Sequence, residues 1–439
     1  MKVTQISEIL NNVITQESLG IEPISEENLE GLVTTAQNIS EALGVDNYIK
    51  ALTNRIGKVV FVNRSYKAKA PNVLMDGWTF GSILQKIDMD MPETSTNESW
   101  GIFDGSRYNE GLINDRTYDQ DIFKGATGVR QRFFNGKTTY EIDISIPWVQ
   151  VEESFGSIEQ LNAFFDMIYV KINNKMELNT RNLTMRTINN FIGAKLYYAF
   201  SDDRNVELAN AVELAVGDGN ELSTVIGNNS NVSAINLLGM YKETNPDHLT
   251  SEQLALLTPS NCILNLSFVK FASYQIALFS DRISDISTLF NMGERERFTP
   301  KDRQHLVLLS EFAKSADVYL QSDTFHEEFT KLPESETVIY WQGSGSDYSF
   351  SSTSKIMVSN TNFVKLEGGV PVDQSMPKRI QMTGVLGVLF DEDALGICNM
   401  KQRVHNHENK KGEFTNLFYK NDAQYFNDYH ENFIVFFVA

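Results

Sequence analysis

Residues 138–176 read TTYEIDISIPWVQVEESFGSIEQLNAFFDMIYVKINNKM. The opening alternates. Tyr140, Ile142, Ile144 and Ile146 are separated by Glu141, Asp143 and Ser145, the period-two pattern of a half-buried strand, and Pro147 ends it. The period then changes. Phe155, Ile158, Leu161, Phe165, Ile168 and Ile172 recur at spacings of three and four, with Glu159 and Asp166 off the stripe. Ser154 is placed to cap this helix over 154–176, and the stripe continues through Leu183, Ile188 and Phe191 to Gly193. At 1.5 Å per residue, about 25 residues would span roughly 37 Å, long enough to be the beam of a domain.

On the N-terminal side the chain is polar and leans to helix. Ile6, Ile9, Leu10 and Val13 fall on one helical face, and Ser25 followed by Glu26, Glu27 and Leu29 reads as a helix start. KVVFVNRSY (58–66) changes to β formers and predicts a strand. Residues 88–135 are dense in Asp, Asn, Gly, Ser and Glu without strong periodicity. A section of that length inside a compact domain points to an extended excursion, 58–135, with few contacts to its own body.

The C-terminal side predicts a mixed α/β unit. Residues 232–242 and 250–257 read as helices and 262–280 as strand-like stretches. Thr299 and Pro300 suit a helix cap and first turn. His305–Ser310 predicts a buried strand, Glu311–Lys331 a helix, Thr337–Trp341 a strand and 343–354 a Gly/Ser loop. NFIVFFVA (432–439) predicts a closing strand. No internal repeat is visible.

The chain has 439 residues, enough for two or three packed units. Its 57 acidic and 38 basic residues give a net charge of −19, which argues against nonspecific affinity for nucleic acid or anionic membrane. Cys262 and Cys398 lie far apart in apolar runs, so a disulfide scaffold or zinc ribbon is not expected. The first twenty residues do not form a signal-peptide pattern, and no apolar run reaches the roughly 18 residues of a membrane span. A reducing cytoplasm is the expected site of synthesis.

Candidate chemistry is sparse. In GVLGVLFDEDALGICN (384–399), Asp391, Glu392 and Asp393 sit between two apolar runs. They could join a metal or acid/base site, but Asp also suits turns, and no HExxH, DxDxDG or paired-His motif is nearby. His405 and His407 would share one face of a strand, yet RVHNHENKKGE is polar and turn-like. His248, His305, His326 and His430 are dispersed. The Gly343–Ser346 loop lacks the spacing of a phosphate cradle, and no GxSxG elbow is present. Glu152-Glu153, Asp202-Asp203 and Glu294–Arg297 read as surfaces. The residues themselves therefore predict no catalytic, cofactor or metal site.

The order of parts carries more. Arg55-Ile56-Gly57-Lys58-Val59-Val60 resembles the opening of the extended loop in major head proteins of small short-tailed phages (podoviruses) of Gram-positive bacteria. Phe80–Ile87, the His305–Leu309 strand with the Ala313–Phe325 helix, and the ending from Gln424 to Phe436 are similar to further parts of those proteins. In its order of elements, nearly the whole chain thus resembles the major capsid protein family of tailed bacteriophages, with the Hong Kong ninety-seven fold shared with herpesvirus shells. The resemblance implies an α+β subunit with an N-terminal arm (1–57), an extended loop (58–135), a peripheral domain with a spine helix (136–200), an axial domain (201–400) and closing strands that return to the peripheral domain (401–439).

It also implies a structural protein rather than an enzyme. The expected partners are copies of itself, as pentamers and hexamers, with a separate scaffolding protein, a portal and enclosed double-stranded DNA, and no membrane. The expected location is the virion capsid, assembled in the host bacterial cytoplasm. Asp391–Asp393 would then cap a turn between neighbouring elements of the axial core. Lys67 and Lys69 lie in the loop, but no partner residues for a cross-link can be assigned. Two alternatives remain: an encapsulin-like compartment of the same fold, and a cytosolic metal or carboxylate hydrolase using Asp391, Asp393, His405 and His407.

Overall fold

The computed structural model describes residues 11, 37–39, 41–42, 71, 73, 83–89, 91, 128–148, 158–201, 205–323, 333–342, 349–360, 365–367, 370–372 and 378–439. The expected arm helices, the 58–66 strand, the Ser154 cap, Phe155, Lys67, Lys69, Glu152-Glu153, Asp202-Asp203, His326 and the Gly343–Ser346 loop fall outside these residues.

The first described strands are β1 (Leu84–Met89) and β2 (Val129–Phe134), and they pair antiparallel. The alternating strand forms as β3 (Lys137–Pro147). The helix after it, α1 (Ile158–Phe200), is longer than its sequence periodicity predicts. Its 43 residues correspond to about 65 Å. Its C-terminal half is buried nearly all round, with Ile188, Phe191, Ile192 and Leu196 inaccessible to solvent. An apolar face that wide no longer reads as a stripe, which is why the pattern fades before the helix does.

α2 (Val206–Asp218), α3 (Leu222–Ile226), β4 (Ala234–Asn236) and α4 (Leu237–Thr244) follow. The 232–242 reading is corrected here: its first part is a strand. α5 (Ser251–Leu256) has a capping box made by Thr250 and Gln253. α6 (Leu266–Arg282) replaces the expected strands of 262–280. Phe268, Val269, Ala272, Ile276 and Phe279 are buried at helical spacing, and Asn265 caps the start. The aromatic and β-branched content suggested strand, but the spacing of the buried residues is helical. Thr299-Pro300 leads only into a 3-10 turn, Lys301–Arg303.

β5 (Gln304–Leu309) and α7 (Ser310–Asp323) are the expected strand and helix, with α7 described to Asp323. The remaining elements are β6 (Ser335–Val338), α8 (Phe350–Thr353), β7 (Ile356–Asn360), β8 (Lys365–Glu367), β9 (Val370–Val372), β10 (Lys378–Met382), β11 (Val385–Asp391), β12 (Leu395–Asn409), β13 (Phe414–Asn427) and β14 (Phe433–Phe437).

A five-stranded mixed sheet, ordered β4-β14-β11-β5-β6, carries the core. Its strands sort side chains by the pleat. Phe433, Val435 and Phe437 of β14 join α1 on one face, while Ile434 and Phe436 join α4, α6 and α7 on the other. Val307 and Leu309 of β5 face the first layer, Leu306 and Leu308 the second. Each fully buried side chain of this size contributes about 1.5–3 kcal/mol. Gly387 sits in β11 where a Cβ would lie 2.6 Å from Leu308 Cδ2 and 2.8 Å from the Val307 carbonyl oxygen, so strand contact requires glycine.

A second sheet, β12-β13-β3, pairs the expected β3 with the long C-terminal hairpin. Two expectations change here. β11 and β12 are not neighbours but belong to different sheets, joined by the 3-10 turn Glu392–Ala394. The closing strand β14 lies in the five-stranded sheet beside β11 and β4, so a boundary at residue 400 cuts through β12 and separates β14 from its partners.

Candidate functional site: a ribbon anchored by its polar face

β1 reads LQKIDM and β2 VRQRFF, in register from Leu84↔Phe134 to Met89↔Val129. A surface ribbon ordinarily turns its apolar residues inward. This one is reversed beyond its first pair. Leu84 and Phe134 are half-buried, with the Phe134 ring 5.3 Å from that of Phe426. But Lys86, Asp88 and Arg132 also face the body, while Ile87 (63 % exposed), Met89, Val129 and Phe133 (62 % exposed) face out.

The inward side chains meet an ion network at one end of the five-stranded sheet. Lys86 Nζ lies 2.9 Å from Asp428 Oδ2 and 3.3 Å from Glu431 Oε1, and it donates to the Asp393 carbonyl at 2.9 Å. Arg132 pairs with Asp428 and lies 3.7 Å from Asp88. Asp88 accepts from Arg295 at 3.0 Å and from Arg297 Nη1 at 3.0 Å. Arg297 Nε lies 3.5 Å from Glu431. The few contacts expected of the excursion with its own body are therefore not what its described ends make.

Three loops build the receiving surface. Asp428 N–H donates to the Ala394 carbonyl (2.7 Å), Met292 N–H to Tyr429 (3.0 Å) and Phe433 N–H to Phe290 (3.0 Å). The side chain of Asp428 is 1 % exposed. Burial pushes its pKa up, but a hydrogen bond with His430 and the charges of Lys86 and Arg132 outweigh it and hold it down at about 2. Burial also opposes ionisation of Asp88, yet Arg297, Arg132 and Arg295 keep it below the usual carboxylate range. Glu431 goes the other way: burial outweighs Lys86 and Arg297 and raises it. Desolvation offsets much of the Coulombic gain in such a cluster, so it fixes geometry more than it adds stability.

The acidic turn borders this network. Asp391 is buried; its Oδ1 accepts from the Asp393 N–H at 2.9 Å and its Oδ2 from Thr299 Oγ1 at 2.7 Å. Asp393 pairs with Arg303, and Glu392 is exposed. The turn is thus an Asp cap, with one buried member. His405 and His407 lie far along β12, on an exposed stretch paired with Phe418 and Asn416. Ten strand residues at about 3.3 Å each put His405 roughly 33 Å from the start of β12, so the four residues of the hydrolase alternative do not meet. Among the described residues no group of three or more His, Cys, Asp or Glu could hold a metal.

His305 stacks on Phe390, and His430 lies 3.6 Å from Asp428. Cys262 and Cys398 are buried free thiols, and burial pushes Cys262 up to about 12. Glu294–Arg297 is corrected: Arg295 and Arg297 are partly buried ligands of Asp88, not surface charges. Sequence reasoning also missed Lys86, Asp88, Arg132, Asp428 and Glu431. The one signal was the alternation of Lys86 and Asp88 with Ile87 and Met89.

The sequence profile of the Phi29-like phage major capsid protein family matches residues 6–246 and 272–437. The chain belongs to that family. It is a phage major capsid protein, a component of the virion that assembles with copies of itself into a shell. No curated protein matches the sequence. Among solved structures, the chain is similar to the capsid structure of cyanophage P-SCSP1u, at 9 % identity over 86 % of this chain and 91 % of that one, with a TM-score of 0.42. It is likewise similar to a chain in the structure of the head fibre and inner core protein of bacteriophage P68, at 9 % identity over 87 % and 88 %, TM-score 0.44. The capsid of Staphylococcus phage Andhra gives 10 % identity over 87 % of each chain, TM-score 0.40. As a capsid protein, the chain needs surfaces that meet other copies. The reversed ribbon is the first candidate. Among the described residues, no helix is long and apolar enough to cross a membrane.

Proposed function

We propose that this capsid protein builds, from pentamers and hexamers, the head of a short-tailed phage of Gram-positive bacteria, and that the head encloses double-stranded DNA. The subunit has the Hong Kong ninety-seven layout, with the ribbon at the base of the extended loop, α1 as the spine and the five-stranded sheet in the axial domain. A scaffolding protein and a portal are its partners during assembly in the host cytoplasm. It has no catalytic role.

The observation that carries this reading is the reversed ribbon. Its charged face is tied to its own subunit, and Ile87, Met89, Val129 and Phe133 face outward. An exposed apolar patch of this kind gains free energy by covering a neighbour, at about 25 cal/mol per Å². The net charge of −19 supports a shell that does not hold packaged DNA tightly.

Electron micrographs of the purified protein should show closed shells, and particles from infected cells should contain double-stranded DNA. Shells loaded with a cargo enzyme and no DNA would favour a cellular compartment. The double variant Ile87→Lys/Phe133→Lys should give folded subunits that no longer assemble. Normal shells from that variant would remove the ribbon from the assembly surface.

A further inference from the structure

A cleft of about 460 Å³ opens between α1 and the outer edge of β7, beside the Trp341–Gln342 turn. On α1, Asn182, Arg186 and Asn190 follow one another at intervals of four and line one wall. Asn189 lies behind them, only 6 % exposed. Its Nδ2 donates to the Trp341 carbonyl at 2.8 Å, but its Oδ1 accepts no hydrogen bond among the described residues. A buried acceptor left this way costs about 1–3 kcal/mol until a donor arrives.

The opposite wall is main chain. β7 pairs with β10 on one side, and no described strand lies on the other. Ile356 and Val358 are buried in the core, while Met357 and Ser359 are exposed. The Met357 carbonyl accepts from Gln342 Nε2, on the cleft side, at 2.9 Å. In an antiparallel pair, alternate residues turn both backbone groups toward or away from the partner. Met357 and Ser359 therefore aim theirs at the cleft.

We propose that this cleft accepts an extended strand from a second copy of this chain, which adds to the outer edge of β7 in place of the Gln342 side chain. The inference rests on the reading that copies assemble. Every recognition group here suits a peptide: backbone N–H and C=O groups on the β7 edge, primary amides on α1 and an unpaired amide acceptor. The Gln342 amide already imitates the N–H that an incoming strand would offer. Arg186 favours an acidic segment, and a chain with 57 acidic and 38 basic residues supplies many. In a shell, a second copy is the polypeptide at the highest local concentration.

Two measurements test it. Hydrogen exchange of the wild-type protein should show the Met357 and Ser359 amides slowed at least tenfold in shells relative to unassembled subunits. Separately, Ser359 is replaced by photoreactive benzoylphenylalanine, and light and 15N-labelled subunits are assembled in equal amounts and irradiated. Half of the cross-linked pairs should join a light to a heavy chain. Equal exchange rates in shells and subunits, cross-links only within one label, or cross-links only to a different protein would each overturn the proposal. Shells are scored independently by electron microscopy. Shells with an unprotected β7 edge defeat this inference alone, whereas absence of shells defeats the assembly reading itself.

Discussion

β14 and β1 are strands of nearly equal length with opposite sorting. In β14, Phe433 to Phe437 are all inaccessible, split between the two core layers. In β1, Leu84, Lys86 and Asp88 are half-buried on the inward face, and the apolar Ile87 and Met89 face out. The first strand is held by area removed from water, which is non-directional and insensitive to pH. The second is held, beyond the Phe134–Phe426 contact, by ion pairs, which are directional and end when a partner loses its charge. One region fixes the subunit, and the other is free to spend its apolar surface on a neighbour.

Removing Asp428 should separate the two regions most. It is the buried centre of the ribbon network, ion-paired with both Lys86 and Arg132. Asp428→Asn should cost about 3 kcal/mol, because two partly buried cations lose their most buried carboxylate and keep only longer approaches to Glu431 and Asp88. Hydrogen exchange should accelerate in β1 and β2 while β5, β11 and β14 keep their protection. The pH dependence has a definite sign. The folded pKa, about 2, lies below the ordinary value of 3.8. The stabilisation is therefore complete above about pH 4 and is lost as pH falls through 2. The variant should lack that portion of the acid transition. Equal loss of protection in both regions would break the comparison.

How far these regions were legible follows from the same physics. β3 and β5 could be read because local alternation or an unbroken apolar run decides them. β14 could be read as a strand, but not its neighbours, since pairing with β4 and β11 joins residues about 200 and 50 positions away. The ion network was illegible for that reason too: its members come from residues 86–88, 132, 295–297 and 428–431. Each looks like a surface charge in its own segment. The acidic turn was read correctly as a turn, but only the fold could show that Asp391 points inward to Thr299.

Lys195 sharpens the comparison, because it places a charge inside the region held by burial. It is fully buried on α1, and its Nζ donates to the Phe290 carbonyl at 2.7 Å, with no carboxylate partner among the described residues. Burial lowers its pKa from 10.5 to about 7. Between those values the unfolded chain binds the extra proton, so stability should rise as pH rises from 7 to 10.5. Lys195→Met removes the charge and keeps the volume. The Phe290 carbonyl retains the Phe433 N–H. The variant should gain roughly 2 kcal/mol at neutral pH, and its melting temperature should no longer climb over that window. A loss of stability would mean that the hydrogen bond outweighs the cost of burying the amine.

The smallest effects should come at the turn that links the two regions, and they should differ residue by residue. Asp391 uses both carboxylate oxygens as acceptors, one for the Asp393 N–H and one for Thr299 Oγ1, while Asn432 Nδ2 donates to that same hydroxyl at 3.2 Å. An asparagine at 391 can keep one of these bonds, but its Nδ2 then stands in place of an acceptor. Asp391→Asn should cost about 1–2 kcal/mol. Glu392 is exposed, with only a 3.7 Å approach to Arg303, and Glu392→Asn should stay within about 0.5 kcal/mol of the parent. Urea midpoints for the two variants, measured with and without a chelator, check this order. If Glu392→Asn cost as much as Asp391→Asn, and the chelator abolished the difference from the parent, the carboxylates would be acting together on a bound cation. The cap geometry predicts instead that the inward residue alone matters.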